Sequence, residues 1–234
     1  MTISKPFIIL FLLTSLNACS QVDKQKYLES IKNLSEKSGI EMIVIDEAEK
    51  ITTTSATRFV RRLMGSSFID DPIQSDIKQD FPKQKTVELP GVSFLVDHDI
   101  IISTTTKLNK IFAYRNCIAF ISDDSFREDK KQTVSIIHSA DKYNILRLQE
   151  TSGGSYIFST DSLITKLTIL EQKYPLDFIG VGTDWLLVKI KDNPKDWEDF
   201  ATEILKVCPN EETTAKAFAE ALKKDNGQTT LWWD

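Results

Sequence analysis

The side chains best suited to chemistry lie in the C-terminal part of the chain. The candidates for a binding site combine carboxylates, a guanidinium, a phenol and two indoles, and they are Arg147, Tyr156, Asp184, Trp232, Trp233 and Asp234. Asp234 would add its own carboxylate to the terminal one, and this pair could bind a cation, pair with Arg147 or act with Asp184 in acid/base chemistry. The competing interpretation, which the sequence favours, is that Asp234 is solvated or ion-paired and both tryptophans pack inside.

Trp232 and Trp233 are neighbours in a predicted strand, where successive side chains point to opposite faces. One of them can enter the core, and the other would lie under a helix or at the surface. An exposed tryptophan is a good anchor for a protein interface. The sequence therefore offers one of these two residues as an interface candidate.

Two cysteines, Cys117 and Cys208, fall in the predicted folded part of the chain. A cell-envelope location would permit a disulfide between them. The alternative is two separate buried thiols, and we favour it because Cys208 lies on the apolar face of a predicted helix.

Three arginines, Arg58, Arg61 and Arg62, surround the apolar positions of a short helix predicted over Thr57–Met64. Such a cluster could bind an anion, but no glycine-rich loop accompanies it. The favoured interpretation is a solvated helix face.

Several classes of function lack the residues that they need. The two histidines, His98 and His138, are isolated, so neither a Ser-His-Asp arrangement nor zinc-ligand spacing is visible. Gly180 and Gly182 are a fragment of a dinucleotide fingerprint, but a predicted strand follows them where a helix is required. We therefore assign no catalytic residue, metal or cofactor. A net charge of −5 argues against nucleic acid as a partner.

Residues 1–18 have the pattern of a secretion signal, with Lys5 at the positive start and an apolar run over Phe7–Leu13. Leu16-Asn17-Ala18-Cys19 resembles a bacterial lipobox, which predicts that Cys19 is acylated and holds the mature chain on the bilayer. Ser20 after the cysteine favours the outer membrane in a Gram-negative cell. An ordinary signal peptide with an incidental Cys19 is the alternative. Residues 19–26 are predicted to be a tether.

The apolar periods after Ser159 predict helix, strand, strand, helix, helix and strand. The strands are Leu176–Val181, Trp185–Ile190 and Thr229–Trp233, and helices begin at Thr160, at Asn193-Pro194 and at Asn210. With the strand predicted at Thr133–His138, this order fits a split βαβ (ferredoxin-like) arrangement. The fold class is α+β, with an antiparallel sheet and helices on one face.

An accessory α/β region is predicted over residues 27–116, and one sheet could join it to the domain predicted over residues 117–234. Its elements are predicted from periodicity and propensity. They are a helix over Tyr27–Lys37, a strand over Glu41–Ile45, the helix over Thr57–Met64, a loop over Ser66–Lys85, one bent strand or two over Thr86–Val96 and a helix over Thr104–Tyr114. Strands at Ile118–Ile121 and Gln132–His138 and a helix over Asp141–Gln149 follow.

Five stretches of the C-terminal part resemble the bacterial family called domain of unknown function 4253. They are residues 141–147, residues 151–156, Leu176–Trp185, Val207-Cys208-Pro209-Asn210 and the final Leu231-Trp232-Trp233-Asp234. The chain departs from the family pattern at Asn144, Ser152, Ser155 and Asn210, so a site built on those positions would be altered. The resemblance implies a fold and assigns no activity.

Taken together, the sequence predicts a lipid-anchored envelope protein that binds another protein, as an adaptor or an immunity-type module, and it favours a non-enzymatic role. The alternative is a small-ligand binder or a hydrolase that uses a carboxylate, Arg and Tyr site near the C-terminus.

Overall fold

A seven-stranded sheet is the centre of the computed structural model, which describes residues 23–62, 86–122, 131–153, 158–210 and 212–233. The strands are β1 (Thr57–Arg62), β2 (Thr86–Val96), β3 (Cys117–Ile121), β4 (Gln132–His138), β5 (Leu176–Val181), β6 (Trp185–Ile190) and β7 (Gln228–Trp232). Their order across the sheet is β1-β2-β4-β3-β5-β6-β7. All neighbours are antiparallel except β3 and β5, which run parallel.

The described residues include seven α-helices, which cover the sheet: α1 (residues 23–38), α2 (Met42–Thr52), α3 (Ile101–Phe112), α4 (Asn144–Gln149), α5 (Thr160–Lys173), α6 (Trp197–Val207) and α7 (Ala215–Lys224). Two short 3-10 helices, His98–Ile100 and Ala113–Arg115, flank α3. Within the described ranges, no helix combines the length and the apolar character that a bilayer crossing requires.

The two faces of the sheet carry two separate cores, because side chains alternate along each strand. The helices α1, α2 and α3 pack on one face, where Leu108 lies among Val92, Ala119 and Ile136. The helices α4 to α7 pack on the other face, and their core includes Phe120, Leu167, Val188, Phe200, Leu231 and Trp233. The accessory region and the C-terminal part thus share one sheet, each covering its own face.

The α+β class is confirmed, as is the placement of the C-terminal helices on one face. The strand order of the split βαβ arrangement is wrong. That plan needs the last strand beside β4, but β2 and β3 occupy both edges of β4. The last strand β7 pairs instead with β6 and forms the edge of the sheet.

Two elements of the accessory region were predicted as the wrong type. Glu41–Ile45 was expected to be a strand, but Met42 begins α2, because Val44, Ile45, Ala48 and Thr52 recur at helical spacing and are all buried. Thr57–Met64 was expected to be a helix, but Thr57–Arg62 forms β1. In β1, Phe59 and Arg61 are buried and Val60 is 46% exposed, which is the alternation of a strand.

Two helices begin later than predicted because a better cap lies downstream. Asp196 caps α6, and its Oδ1 accepts hydrogen bonds from the N–H groups of Glu198 and Asp199. Thr214 caps α7 and accepts from the N–H of Ala217. The helix predicted over Thr104–Tyr114 also includes the apolar Ile101 and Ile102, which begin α3. The predicted signal peptide with Cys19 and the loop Ser66–Lys85 lie outside the described residues.

The turn between α7 and β7 depends on Gly227. Its φ of +73° is left-handed, and an added Cβ would overlap the Cγ2 atom of Ile190.

Gly39 supplies a matched control, because its φ is +74° and nothing lies within 4 Å of an added Cβ. We expect Gly39→Ala to lower the free energy of unfolding by about 1–2 kcal/mol from backbone strain alone. Gly227→Ala should lower it by about 2–5 kcal/mol, because overpacking adds to that strain. Urea unfolding of both variants measures the difference, and equal losses would contradict the packing argument.

Candidate functional site

Hydrogen bonds connect the C-terminal strand to the end of α6. Trp233 is fully buried, and its Nε1–H donates to the Val207 carbonyl at 3.1 Å. The Cys208 thiol donates to the Trp232 carbonyl at 3.1 Å, and the Trp233 N–H donates to the Asp184 carbonyl at 2.8 Å. These contacts join the two short motifs, Val207–Asn210 and Leu231–Asp234, in one structural unit.

The loop after α4 is bonded to the turn between β5 and β6. The Ser152 N–H donates to the Thr183 carbonyl at 2.9 Å, and the Thr151 hydroxyl donates to the Gly182 carbonyl at 2.6 Å. The Gln149 amide donates to the Val181 carbonyl at 3.2 Å. Because all three donors come from one short segment, they hold this turn in a fixed position.

Arg147 forms its ion pair with Asp141, with 2.8 Å between Nη1 and Oδ2. Burial alone would raise the pKa of Asp141. The hydrogen bonds from Arg147 and from the Tyr143 N–H, together with the positive charges of Arg147 and Lys142, outweigh burial and hold that pKa below its usual value. Both side chains are about half exposed. The described contacts thus join Arg147 to its neighbour Asp141, and Asp184 to the end of β7. Tyr156 and Asp234 lie outside the described residues.

Trp232 points to the face opposite Trp233 and is 43% exposed. It lies across from Trp185 of β6, which is buried in the core under α3. A groove of about 700 Å³ lies on the same face of the sheet, between α3 and the strands β5 and β6. Four lysines and one acid line it: Lys110, Lys142, Lys189, Lys191 and Asp177.

A second cavity, of about 420 Å³, lies where β1 and β2 approach the end of α4 and the β5–β6 turn. Its described lining includes two arginines, Arg58 and Arg61, and no carboxylate. Most of the remaining positions carry hydroxyls: Thr54, Ser55, Thr57, Thr86, Ser93, Ser122, Thr133 and Thr183. Arg61 is only 7% exposed. It is therefore not part of a solvated face, as the sequence had suggested.

Within the described ranges, no three His, Cys, Asp or Glu side chains gather where they could hold a metal ion.

The comparisons with known proteins agree with the sequence motifs. A family model, Domain of unknown function (DUF4253), matches residues 133–234. Residues 133–234 are thus similar to this family. No curated protein and no solved structure matches the chain.

The matched region begins inside β4 and includes α4 to α7 and β5 to β7. All five stretches that carried the resemblance fall within it. In the described part of these stretches, the tryptophans, the Cys-Pro turn and the Gly180 hairpin form contacts that stabilise the fold. At Gly180, for example, a larger residue would clash with the core, because an added Cβ would lie 2.8 Å from Cζ3 of Trp185.

The two cysteines lie on opposite faces of the sheet, Cys117 in the core under α3 and Cys208 in the core under α6. The structure thus contains two separate buried thiols and not a disulfide. Burial raises the pKa of the Cys117 thiol, which keeps it protonated and unreactive at neutral pH.

The residues that the sequence interpretation missed are those of the second cavity. The sequence pattern predicts Arg58 and Arg61 on the solvated face of a helix, whereas both lie on the strand β1. Ser93, Ser122 and Thr133 gave no signal, because isolated hydroxyls in strands are common. The alternation of Phe59 and Arg61 with Val60 was the one pattern that could have revealed a buried arginine.

The paired tryptophans give a test of the fastening at the end of α6. Trp233→Phe removes the donor to the Val207 carbonyl and leaves a gap in the core, so we expect a loss of about 2–4 kcal/mol in the free energy of unfolding. Trp232→Phe keeps an aromatic ring at a half-exposed position and should change it by about 0.5 kcal/mol or less. Denaturant unfolding monitored by circular dichroism measures both. Similar losses for the two substitutions would contradict the conclusion that Trp233, and not Trp232, stabilises the fold.

Proposed function

We propose that the protein is a non-enzymatic lipoprotein of the bacterial cell envelope that binds another protein through the face around Trp232. The observation that carries this proposal is the contrast among three tryptophans. Trp185 and Trp233 are 1% and 0% exposed. Trp232, which pairs with Trp185 across the sheet and precedes Trp233 in the chain, is 43% exposed. Tryptophan is enriched among the residues that dominate binding energy at protein interfaces.

The groove on the same face indicates the charge of the partner. Lys191 pairs with Asp177 at 3.4 Å, and Lys142 pairs with Glu171. Lys110 and Lys189 add positive charge to the lining, although the whole chain carries −5. A partner with an acidic surface next to an apolar pocket for Trp232 would complement this face. In this proposal the protein acts as an adaptor or as an immunity-type module that neutralises an antagonist.

The location rests on the lipobox-like sequence at residues 16–19. Acylation of Cys19 would make the lipid bilayer the second partner, and two or more acyl chains anchor a protein stably. The outer membrane is the proposed destination if the cell is Gram-negative, because Ser20 follows the cysteine. The acidic net charge supports a partner other than nucleic acid.

The contacts of Arg147 support binding over catalysis. Its guanidinium is already paired with Asp141, and this pair is exposed at the surface of α4. A catalytic carboxylate needs a pKa matched to its task, commonly raised by burial. The pKa of Asp141 is instead held below its usual value.

Crosslinking followed by pull-down of the full-length protein from its native envelope tests the proposed interface. We expect one acidic protein to be recovered near stoichiometrically with the wild type and lost with Trp232→Ala. Ile169→Ala is the matched control, because Ile169 is 60% exposed on α5, on the opposite face. Lys189→Glu should also weaken recovery. Equal recovery from Trp232→Ala and wild type would contradict the proposed surface, and so would recovery of no protein at all.

Metabolic labelling with palmitate tests the anchor separately. The wild type should incorporate label and remain in the membrane fraction. Cys19→Ala should lose the label and leave the membrane fraction or accumulate unprocessed, because no thiol remains to be acylated. Unchanged membrane attachment of Cys19→Ala would contradict the lipoprotein assignment.

A further inference from the structure

Arg61 has a buried hydrogen-bond donor that the described residues do not satisfy. Its Nη1 is 2.5 Å from a carboxylate oxygen of Glu150 and donates to the Gln149 carbonyl at 3.4 Å. Its Nε is buried, and no described residue accepts a hydrogen bond from it. A buried guanidinium donor without an acceptor is costly. An acceptor supplied from outside the chain would remove that cost.

Arg58 adds a second positive charge to the same cavity. Its Nε is 3.3 Å from Glu88, but the two are not aligned for a hydrogen bond, and its buried Nη1 has no acceptor among the described residues. Glu88 is 65% exposed, so water screens its charge more than it screens that of the arginines. The described lining of the cavity is therefore positive, with no acid of its own.

Three serines extend this site with a chain of hydroxyls. The Oγ of Ser135 is 2.8 Å from that of Ser93 and 2.6 Å from that of Ser122. Three hydroxyls carry three protons, but the chain contains only two hydrogen bonds. When both hydrogen bonds run in the same direction along the chain, the remaining proton lies on Ser93 or on Ser122, and both of these serines line the cavity.

We propose that the cavity between β1, β2 and the β5–β6 turn binds a small hydroxylated acid, such as a sugar carboxylate or a sugar phosphate. The planar guanidinium of Arg61 suits the oxyanion, since carboxylate and phosphate oxygens match its parallel donors. The serine and threonine hydroxyls suit the polar body of such a molecule. A volume of about 420 Å³ is within the usual range for small-ligand sites. This site does not depend on the interface around Trp232.

Glu150 competes with the ligand for Arg61. Its side chain is 69% exposed, and its hydrogen bond from Arg61 holds its pKa below the usual value, so it is ionised at neutral pH. Replacing it with glutamine would remove the negative charge beside Arg61 and keep a side-chain oxygen that can accept a hydrogen bond from the guanidinium. The affinity for an anion should rise as a result.

Isothermal titration calorimetry of the full chain in detergent, with three matched hexoses, tests the proposal. The probes are D-glucuronate, D-glucose 6-phosphate and uncharged D-glucose. We expect at least one of the two acids to bind, and glucose to bind at least tenfold more weakly. The acid that binds identifies the oxyanion as a carboxylate or a phosphate.

The variants separate Arg61 from general charge effects. Arg61→Gln should weaken binding of the acid by about ten- to hundredfold, the effect of losing a charge-assisted hydrogen bond. Glu150→Gln should strengthen it by about two- to fivefold. Arg115→Gln is the control and should leave it unchanged, because Arg115 pairs with Glu41 away from the cavity.

If Arg61→Gln does not fold, as judged by circular dichroism, Glu150→Gln alone decides the question. Its failure to strengthen binding would overturn the proposal. So would the absence of binding by both acids, equal binding of glucose, or a crystal structure grown with both acids that shows only water beside Arg61.

Discussion

The single parallel pairing in the sheet, between β3 and β5, holds the molecule together as one unit. Ile121 of β3 pairs with Gly180 of β5, and every other pair of neighbouring strands is antiparallel. Gly180 is required at this junction because an added Cβ would lie 2.8 Å from the Trp185 ring and 3.1 Å from the Ile121 Cβ. The close approach joins β1, β2, β4 and β3 to β5, β6 and β7 in one continuous sheet. Both cores, and both cavities, depend on that continuity.

Elements with sharp local boundaries were predictable from the sequence. The strands Leu176–Val181 and Trp185–Ile190 have the predicted bounds, because a proline precedes the first and a glycine-containing turn separates them. The helix α5 begins at Thr160, as predicted, and Ser159 caps it through its side chain. Positive φ angles at Asn226 and Gly227 follow the end of α7. In these places local chemistry and tertiary packing require the same conformation.

The accessory region was harder to predict because its local preferences compete with its tertiary packing. The apolar run of α2 has strong β propensity, yet burial of one helical face decided its structure. The strand order was also beyond the sequence, because nothing local indicates that β2 and β3 flank β4. For both of these reasons, the candidate cavity could not be predicted from the sequence. Arg61 was assigned to a helix surface, and the strands that bring Ser93 and Ser122 to it could not be placed.

The candidate cavity is lined by residues inside and outside the region that matches the DUF4253 model. Arg58, Arg61 and Ser93 come from the accessory strands, whereas Thr133, Gln149 and Thr183 come from the family domain. The motif residues that the structure describes, among them Gly180, Cys208 and Trp233, mostly hold the domain together and fix its β5–β6 turn. That turn then supplies one wall of a cavity whose charged groups lie outside the matched residues. A family motif of this kind can preserve a scaffold while the accessory strands decide what is bound. Proteins that share the motif but differ in those strands would then share a fold without sharing a ligand.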